Sequence, residues 1–349
     1  MNKFEICISG NASRQYPTDL LFGLLWYSET EAVEIPKKNT YSGDWGSVLS
    51  RILPNRDKIP IPYKLNLAYI SLVEEKVYEI EEKLPKDKIE NLWLVKNKFG
   101  EHLYSHIVVG MGPYGKVAIW CNGYNKLVLV NCMQGHFSSI DLKNVIYEFK
   151  NIHYHCLNLI DHSFITKEVE ENKLQAYDIF DGYMKQFIYR YLILLEKWQG
   201  GSKEVKWEKY KEDEDKAPEF DYIEESLFDG THDKLHDEGL LKYHQAGKPK
   251  KLAIKWHIGK SEYSAYFWFE EEPIREVFDK FYGAHPDTKT DFIIRIDAEN
   301  RKYELALYRY GLKEPQVIPE NVYQLLVFKN KFEDYRSDNY NQERGAWIW

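Results

Sequence analysis

Sulfur is scarce in this chain: 4 Cys and 4 Met among 349 residues. Cys7, Cys121, Cys132 and Cys156 are too few and too scattered for a disulfide framework. No Cys-x-x-Cys pair exists, so a structural zinc site or a thioredoxin-like motif has no support, and the four read as reduced core or near-core thiols. Long apolar runs are missing as well. The longest, around Phe187 to Leu195, is broken by Arg190 and falls far below the ~20 residues of a membrane span. The opening Met1-Asn2-Lys3-Phe4-Glu5-Ile6-Cys7 holds an acidic residue and too short an apolar run for a signal peptide. Cys7 also lacks the apolar stretch that precedes a lipoprotein cysteine, so the expectation is a cytoplasmic protein. There is no basic excess: 47 basic against 55 acidic residues give −8. That balance excludes broad electrostatic attraction to a nucleic-acid backbone.

Motifs for chemistry are equally sparse. Gly110-Met-Gly-Pro-Tyr-Gly115 superficially resembles a phosphate cradle. A helix should follow such a cradle, but Lys116-Val-Ala-Ile-Trp120 alternates as a strand, so a hairpin turn is expected. His232-x-x-x-His236 would place two imidazoles on one helical face, and His153-x-His155 would do so on a strand. Neither has an evident third ligand, and no metal or cofactor is expected. No Gly-x-Ser-x-Gly elbow occurs. The carboxylate pairs Glu74-Glu75, Glu81-Glu82 and Glu270-Glu271-Glu272 sit in solvated-looking runs, whereas acid–base work needs burial to separate their pKa values. No catalytic residue is assigned.

What the chain has is aromatic surface. Tyr, Phe and Trp make up 15% of it, within 44% hydrophobic residues overall, a composition suited to half-buried β-faces. Strands are expected at 64–70, 76–80, 104–109, 116–121 and 126–130, with a helix from Leu84-Pro85 through Leu92-Trp93 and a hairpin at Asn122-Gly123. The pattern recurs further on. Lys64-Leu-Asn-Leu67 is answered by Lys251-Leu-Ala-Ile254, Val77–Glu82 by Tyr266–Glu271, Leu84-Pro85 by Glu272-Pro273 and Trp93 by Phe281. Further strands are expected at 291–296, 302–308 and 316–318. Between the repeats, Leu174, Tyr177, Phe180, Met184, Phe187, Tyr191, Leu194 and Trp198 step by three and four, which predicts one helix over 173–198 before Gly200-Gly201. Lys211-Glu-Asp-Glu-Asp-Lys216 and Ala217-Pro218 then read as a solvated linker. The expected fold is therefore α+β: two antiparallel-sheet units of similar strand–strand–helix–strand pattern, as duplication would produce, joined by a long helix and a charged linker. The expected domains are 1–170, 171–219 and 220–349.

The acidic excess is local. Residues 1–200 carry 23 basic and 24 acidic side chains, 201–300 carry 16 and 24, and 301–349 carry 8 and 7. Glu212, Asp213, Glu214 and Asp215 form its densest run and are the candidate partner-binding residues. The C-terminal Trp347-Ile-Trp349 is expected to dock on its own domain.

Several scattered features fall in a familiar order. They are Trp45 in Ser42-Gly-Asp-Trp-Gly46, Pro60 and Pro62 before Tyr63-Lys-Leu65, Tyr69-Ile-Ser71, Glu75-Lys-Val-Tyr78, Leu84-Pro85 and Gly110 through Trp120. Over about residues 15–135 the chain resembles the bacterial family catalogued as domain of unknown function 2931. The resemblance implies a relative of proteins that are often lipoproteins, some encoded near type VI secretion or toxin genes, as immunity proteins are. It names no functional residue. The absent lipoprotein signal and the added second half depart from that pattern. Two readings stay open: a non-catalytic binding protein, such as an immunity protein against a toxin or secretion-system effector, and a hydrolase-type enzyme with its site between the two units.

Overall fold

The computed structural model describes residues 2–14, 16–37, 40–49, 58–74, 76–97, 99–124, 126–139, 185–196, 219–236, 240, 242–258, 261–297, 303–331 and 337–339. Two compact units divide the chain. The first is Met1–Met184 with Asp229–Thr231, and the second is Lys185–Phe228 with His232–Trp349.

The first unit is built from strands β1 (Cys7–Asn11), β2 (Thr18–Trp26), β3 (Ala32–Glu34), β4 (Lys64–Ser71), β5 (Lys76–Lys83), β6 (Tyr104–Met111), β7 (Lys116–Gly123), β8 (Lys126–Gln134) and β9 (His136–Phe137), with helix α1 (Lys86–Leu94). One sheet runs β3-β2-β4-β5-β9, and β1-β6-β7-β8 lie side by side in another. All pairings are antiparallel except β1 with β6. Alternation along each strand sends every second side chain inward. A single apolar cluster thus gathers Ile6 and Ile8, Leu25, Leu65 and Leu67, Ile107 and Val109, and Ile119 from both sheets, with Ile89 and Trp93 from α1.

The second unit contains β10 (Phe187–Glu196), β11 (Glu219–Leu227), β12 (His232–Leu235), β13 (His244–Ala246), β14 (Pro249–Ile258), β15 (Ser261–Phe269), helix α2 (Glu271–Tyr282), β16 (Thr290–Asp297), β17 (Tyr303–Arg309), β18 (Gln316–Val317), β19 (Tyr323–Lys331) and β20 (Ser337–Asn339). Strands β12-β11-β14-β15-β19-β20 neighbour one another in that order, and β13-β10-β16-β17-β18 form a separate sheet. Its core is rich in ring–ring contacts. Phe187 packs on Phe278 at 5.1 Å, Tyr191 on Phe292 at 5.5 Å, and Phe267 on Tyr303 at 6.3 Å.

The pairing frame of the first unit returns in the second. β1 is parallel to β6 through Ile8↔Ile107, and β10 is parallel to β16 through Tyr191↔Phe292. Leu25 faces Leu65 and Val33, while Glu225 faces Leu252 and Asp233. Each of these first strands carries a register shift near its start, at Leu20/Phe22 and Phe220/Tyr222, and β11 has a second at Ser226/Leu227. The cross-strand ring pair Tyr69↔Tyr78 has its counterpart in Trp256↔Tyr263. The bridge Phe4↔Ile59 answers to Phe187↔Ala246. This frame sets Ile89 and Trp93 against Ile274 and Phe278, so Trp93 corresponds to Phe278 and not to Phe281.

Strands dominate the described residues, and only α1 and α2 among them are α-helices. This overturns the expected α+β class. The expected long helix over 173–198 is overturned where it is described: Phe187–Glu196 is a strand, while 173–184 and 197–198 lie outside the described residues. Phe187, Tyr189 and Tyr191 are buried, and Ile188, Arg190 and Leu192 are half-buried, a period of two. In so apolar a run Phe187 and Tyr191 fit either period, while Leu194 falls on the other face of the strand. The parallel partner β16, a hundred residues away in sequence, decides in favour of the strand. The linker around 211–216 is also outside the described residues.

Candidate functional site

The residues that carry the family resemblance in the first unit build an internal knot. Buried Asn11, at the end of β1, donates through Nδ2 to the carbonyls of Asp44 at 2.9 Å and Ser47 at 2.8 Å. Its Oδ1 accepts from the Gly46 amide at 3.0 Å. One amide side chain thus satisfies three backbone groups of the 44–47 turn. That turn lays the Trp45 ring edge-on against Trp120 at 4.9 Å. Trp120 in turn donates from Nε1 to the Asp229 carbonyl at 2.9 Å. A Cβ at Gly110 would overlap the Trp120 ring and lie 2.9 Å from Trp45. Glycine there is a condition of the two indoles meeting.

Gly110–Gly115 closes the β6–β7 hairpin, with Met111 opposite Val117. Tyr69, fully buried, donates to the Gly112 carbonyl at 2.6 Å. Tyr114 holds φ 57°, the left-handed region that a side chain enters at a cost of about 1–2 kcal/mol. Glu74 fixes it there: one carboxylate oxygen accepts from the Tyr114 amide at 2.9 Å and the other from the Tyr78 hydroxyl at 2.6 Å. Burial first, then the bond to Glu74, pushes the Tyr78 phenol well above its ordinary range. This carboxylate is committed to clamping a turn. The next hairpin turns two residues later than Asn122-Gly123 suggested, since Gly123 itself pairs with Lys126.

One end of the first unit is apolar and open. Leu94 and Val95 leave the end of α1 half exposed, Phe99 stands 76% exposed in the following turn, and Tyr124 is 82% exposed between β7 and β8. Backbone bonds hold them in one region: the Leu103 amide donates to Val95, and the Tyr124 amide to Leu103. Trp, Tyr, Phe and aliphatic anchors of this kind mark surfaces that partners cover.

The second unit places polar groups where the first has a dry core. At the positions of Ile8, Leu25 and Ile61, all buried, stand Tyr191, Glu225 and Lys248, each exposed by 2% or less. Tyr191 donates to one Glu225 oxygen at 2.6 Å. The other oxygen faces Nε2 of His244 at 3.5 Å, long for a hydrogen bond but close enough for an ion pair. Burial pulls the His244 imidazole down. The bond and charge of Glu225 outweigh it, with the Lys242 carbonyl and Asp233 adding, and hold it above its ordinary value. Burial lowers Lys248 to about 8, against the opposing charge of Asp279.

His232 begins strand β12 and His236 lies just beyond its end, so the helical His-x-x-x-His face does not exist. Nδ1 of His232 meets the Ser226 hydroxyl at 3.1 Å, and Nδ1 of His236 meets the Asp221 carbonyl at 3.1 Å. Among the described residues no three His, Cys, Asp or Glu side chains gather as metal ligands. His153, His155, Cys156, the acidic run Glu212, Asp213, Glu214 and Asp215, and the Trp347–Trp349 tail lie outside the described residues. Among the acidic residues described later in the chain, Glu224 pairs with Lys234 at 3.3 Å and Glu262 with Lys255 at 2.7 Å, and Asp221 meets Nδ1 of His257 at 3.2 Å. Sequence reasoning missed Tyr191, Glu225 and His244. The only signal for them was a polar residue at Glu225 where the repeat's own apolar position, Leu25, predicts a hydrophobe.

Among its described residues the first unit is thus β-rich with one short helix, α1, and is knotted around Trp45 and Trp120. Residues 2–146 match the family model described as Protein of unknown function (DUF2931). Comparison with curated proteins and with solved structures gives no match. Among the described residues no helix is long and apolar enough to cross a membrane.

Proposed function

We propose that the chain is a non-catalytic protein-binding protein, acting in the cytoplasm as an immunity protein that neutralises a toxin or secretion-system effector. The observation that carries the binding reading is the rim of Leu94, Val95, Phe99 and Tyr124 on the family domain. Leaving two aromatic rings largely in water forgoes about 1.5–3 kcal/mol of burial for a Phe-sized side chain, a cost that a partner's surface recovers. Such anchors concentrate binding energy when the partner seats them in a pocket. The effector identity rests on the resemblance to a family with members near toxin genes. The acidic run at Glu212–Asp215 supplies a candidate steering charge toward a basic partner.

The test is co-expression of the tagged full chain with the products of the genes that flank its own. A flanking product should be retained stoichiometrically, and its toxicity to the host cell should be relieved. The pair Phe99→Ser and Tyr124→Ser should weaken capture by two orders of magnitude or more, on the order of 3 kcal/mol, without lowering the melting temperature. Failure of every flanking product to bind, or equal capture by the doubly substituted chain, overturns the proposal.

A further inference from the structure

We infer that Glu225, Tyr191 and His244 form a proton-operated clasp that secures edge strand β13 to the second unit.

The first observation is the contrast with the first unit. The same pairing frame that places Ile8 and Leu25 in one apolar core gives Tyr191 and Glu225 a buried phenol–carboxylate bond in the other. Apolar residues therefore suffice to hold this fold together at these two places. Removing a carboxylate from water is costly, and replacing a buried ionic group by well-packed apolar residues is often neutral or stabilising. A buried charge kept where the sister unit dispenses with it points to a conditional interaction rather than to added stability.

The second observation is where the charge is met. His244 opens β13, a strand of three residues pairing with β10 through Tyr189↔His244, Ile188↔Gln245 and Phe187↔Ala246. So short an edge has few ladder bonds, and its side chains must hold it. On the outer face Tyr243 donates to Asp291 of β16 at 2.9 Å, and the Arg190 guanidinium of β10 binds the same carboxylate oxygen at 2.7 Å while lying 4.7 Å over the Tyr243 ring. Lys289 approaches that ring at 5.4 Å. None of these outer groups changes charge between pH 5 and 8 at its ordinary pKa. On the inner face His244 does. The groups that meet it there are Glu225 of β11 and Asp233 of β12, and the rings of Tyr189 and Tyr191 of β10.

Both imidazole nitrogens face acceptors, Glu225 on one side and the Lys242 carbonyl at 3.5 Å on the other. This arrangement favours the doubly protonated ring and leaves neither nitrogen turned to a substrate, so the cluster suits a switch better than a general acid or base. With the folded value raised, the stabilising contribution is complete below the unfolded value near 6.5 and is lost as pH rises through the folded value. The clasp is closed in mild acid and loosens toward the alkaline side, where Glu225 keeps only the Tyr191 bond.

The test uses the full chain. Hydrogen exchange at 244–246, corrected for intrinsic rates, is compared at about pH 5.5 and about pH 8, spanning the histidine range, with β16 and β17 as internal references. Protection at 244–246 should fall several-fold relative to those strands. The double replacement Tyr191→Ile with Glu225→Leu, which installs the first unit's own pair, should fold and abolish that difference. An NMR titration of His244 in the unaltered chain, assigned by His244→Gln, gives a readout that no folding failure can obscure. A His244 midpoint at or below the ordinary value, or a pH difference that survives the double replacement, overturns the clasp.

Discussion

Replacing Asn11 by Ala removes the one side chain that fixes the 44–47 turn. Three backbone groups lose this bond: the Ser47 carbonyl, the Gly46 amide and the Asp44 carbonyl, the last of which keeps the Ser47 amide at 2.9 Å. Each lost bond is worth about 1 kcal/mol net, and a buried group left unsatisfied costs about 1–3 kcal/mol. The turn's outer side can relax toward water, so the three together should cost about 3–5 kcal/mol. For a urea slope of roughly 1–3 kcal/mol/M, the transition of the first unit should move down by about 1–5 M. Tryptophan fluorescence reports it, because Trp45 and Trp120 meet at 4.9 Å and separate when the turn opens. Asn66→Ala is the matched control: its amide reaches Glu81 at 3.4 Å on the exposed face, and its removal should change stability by less than about 0.5 kcal/mol. If Asn11→Ala and Asn66→Ala unfold at the same urea concentration, the idea that the 44–47 turn is held by one buried amide is wrong.

Phe278→Ala removes a ring fully buried between Phe187, Tyr282 and Phe292, and should destabilise the second unit by about 3–5 kcal/mol in thermal or urea melts. Gly283 ends α2 at φ 52° with nothing within 4 Å of an added Cβ, so Gly283→Ala should cost about 1–3 kcal/mol from backbone strain alone, measured against a neighbouring surface substitution. Lys248→Ile copies Ile61 of the first unit. Because the folded lysine sits at about 8, below its unfolded value, the stability of the unaltered chain should rise between pH 8 and about 10.5 as the unfolded state binds the extra proton. The isoleucine variant should lack that rise in pH-dependent melts, and an unchanged slope would refute the assignment.

Much of the strand pattern was legible because period-two alternation and turn residues are local. Positions 64–70, 76–80 and 116–121 were read as strands and lie within β4, β5 and β7, and Pro85 marks the start of α1. The hairpin at Gly110–Gly115 was also legible, since a strand and not a helix follows it. What failed was nonlocal. β10 was read as helix because an aromatic, near-continuous apolar run satisfies two periods at once, and only pairing with β16 selects one. The site residues were hidden for a related reason. Glu225 looks like any surface glutamate in Glu224-Glu225-Ser226. Its burial depends on β11 presenting it inward against Leu252 while β10 and β13 bring up Tyr191 and His244.

By itself the sequence determined that the chain is rich in aromatics, poor in sulfur and without a long apolar span, and it supplied the local alternation that makes strands. Tertiary structure decided which runs become strands in a shared frame, and that Trp45, Gly110 and Trp120 are architectural. It also decided that polar residues replace the apolar core in one unit and not in the other. The physical reason is that burial belongs to the pairing of distant segments: a side chain's neighbours across a sheet are set by register, and register is not written in any one strand.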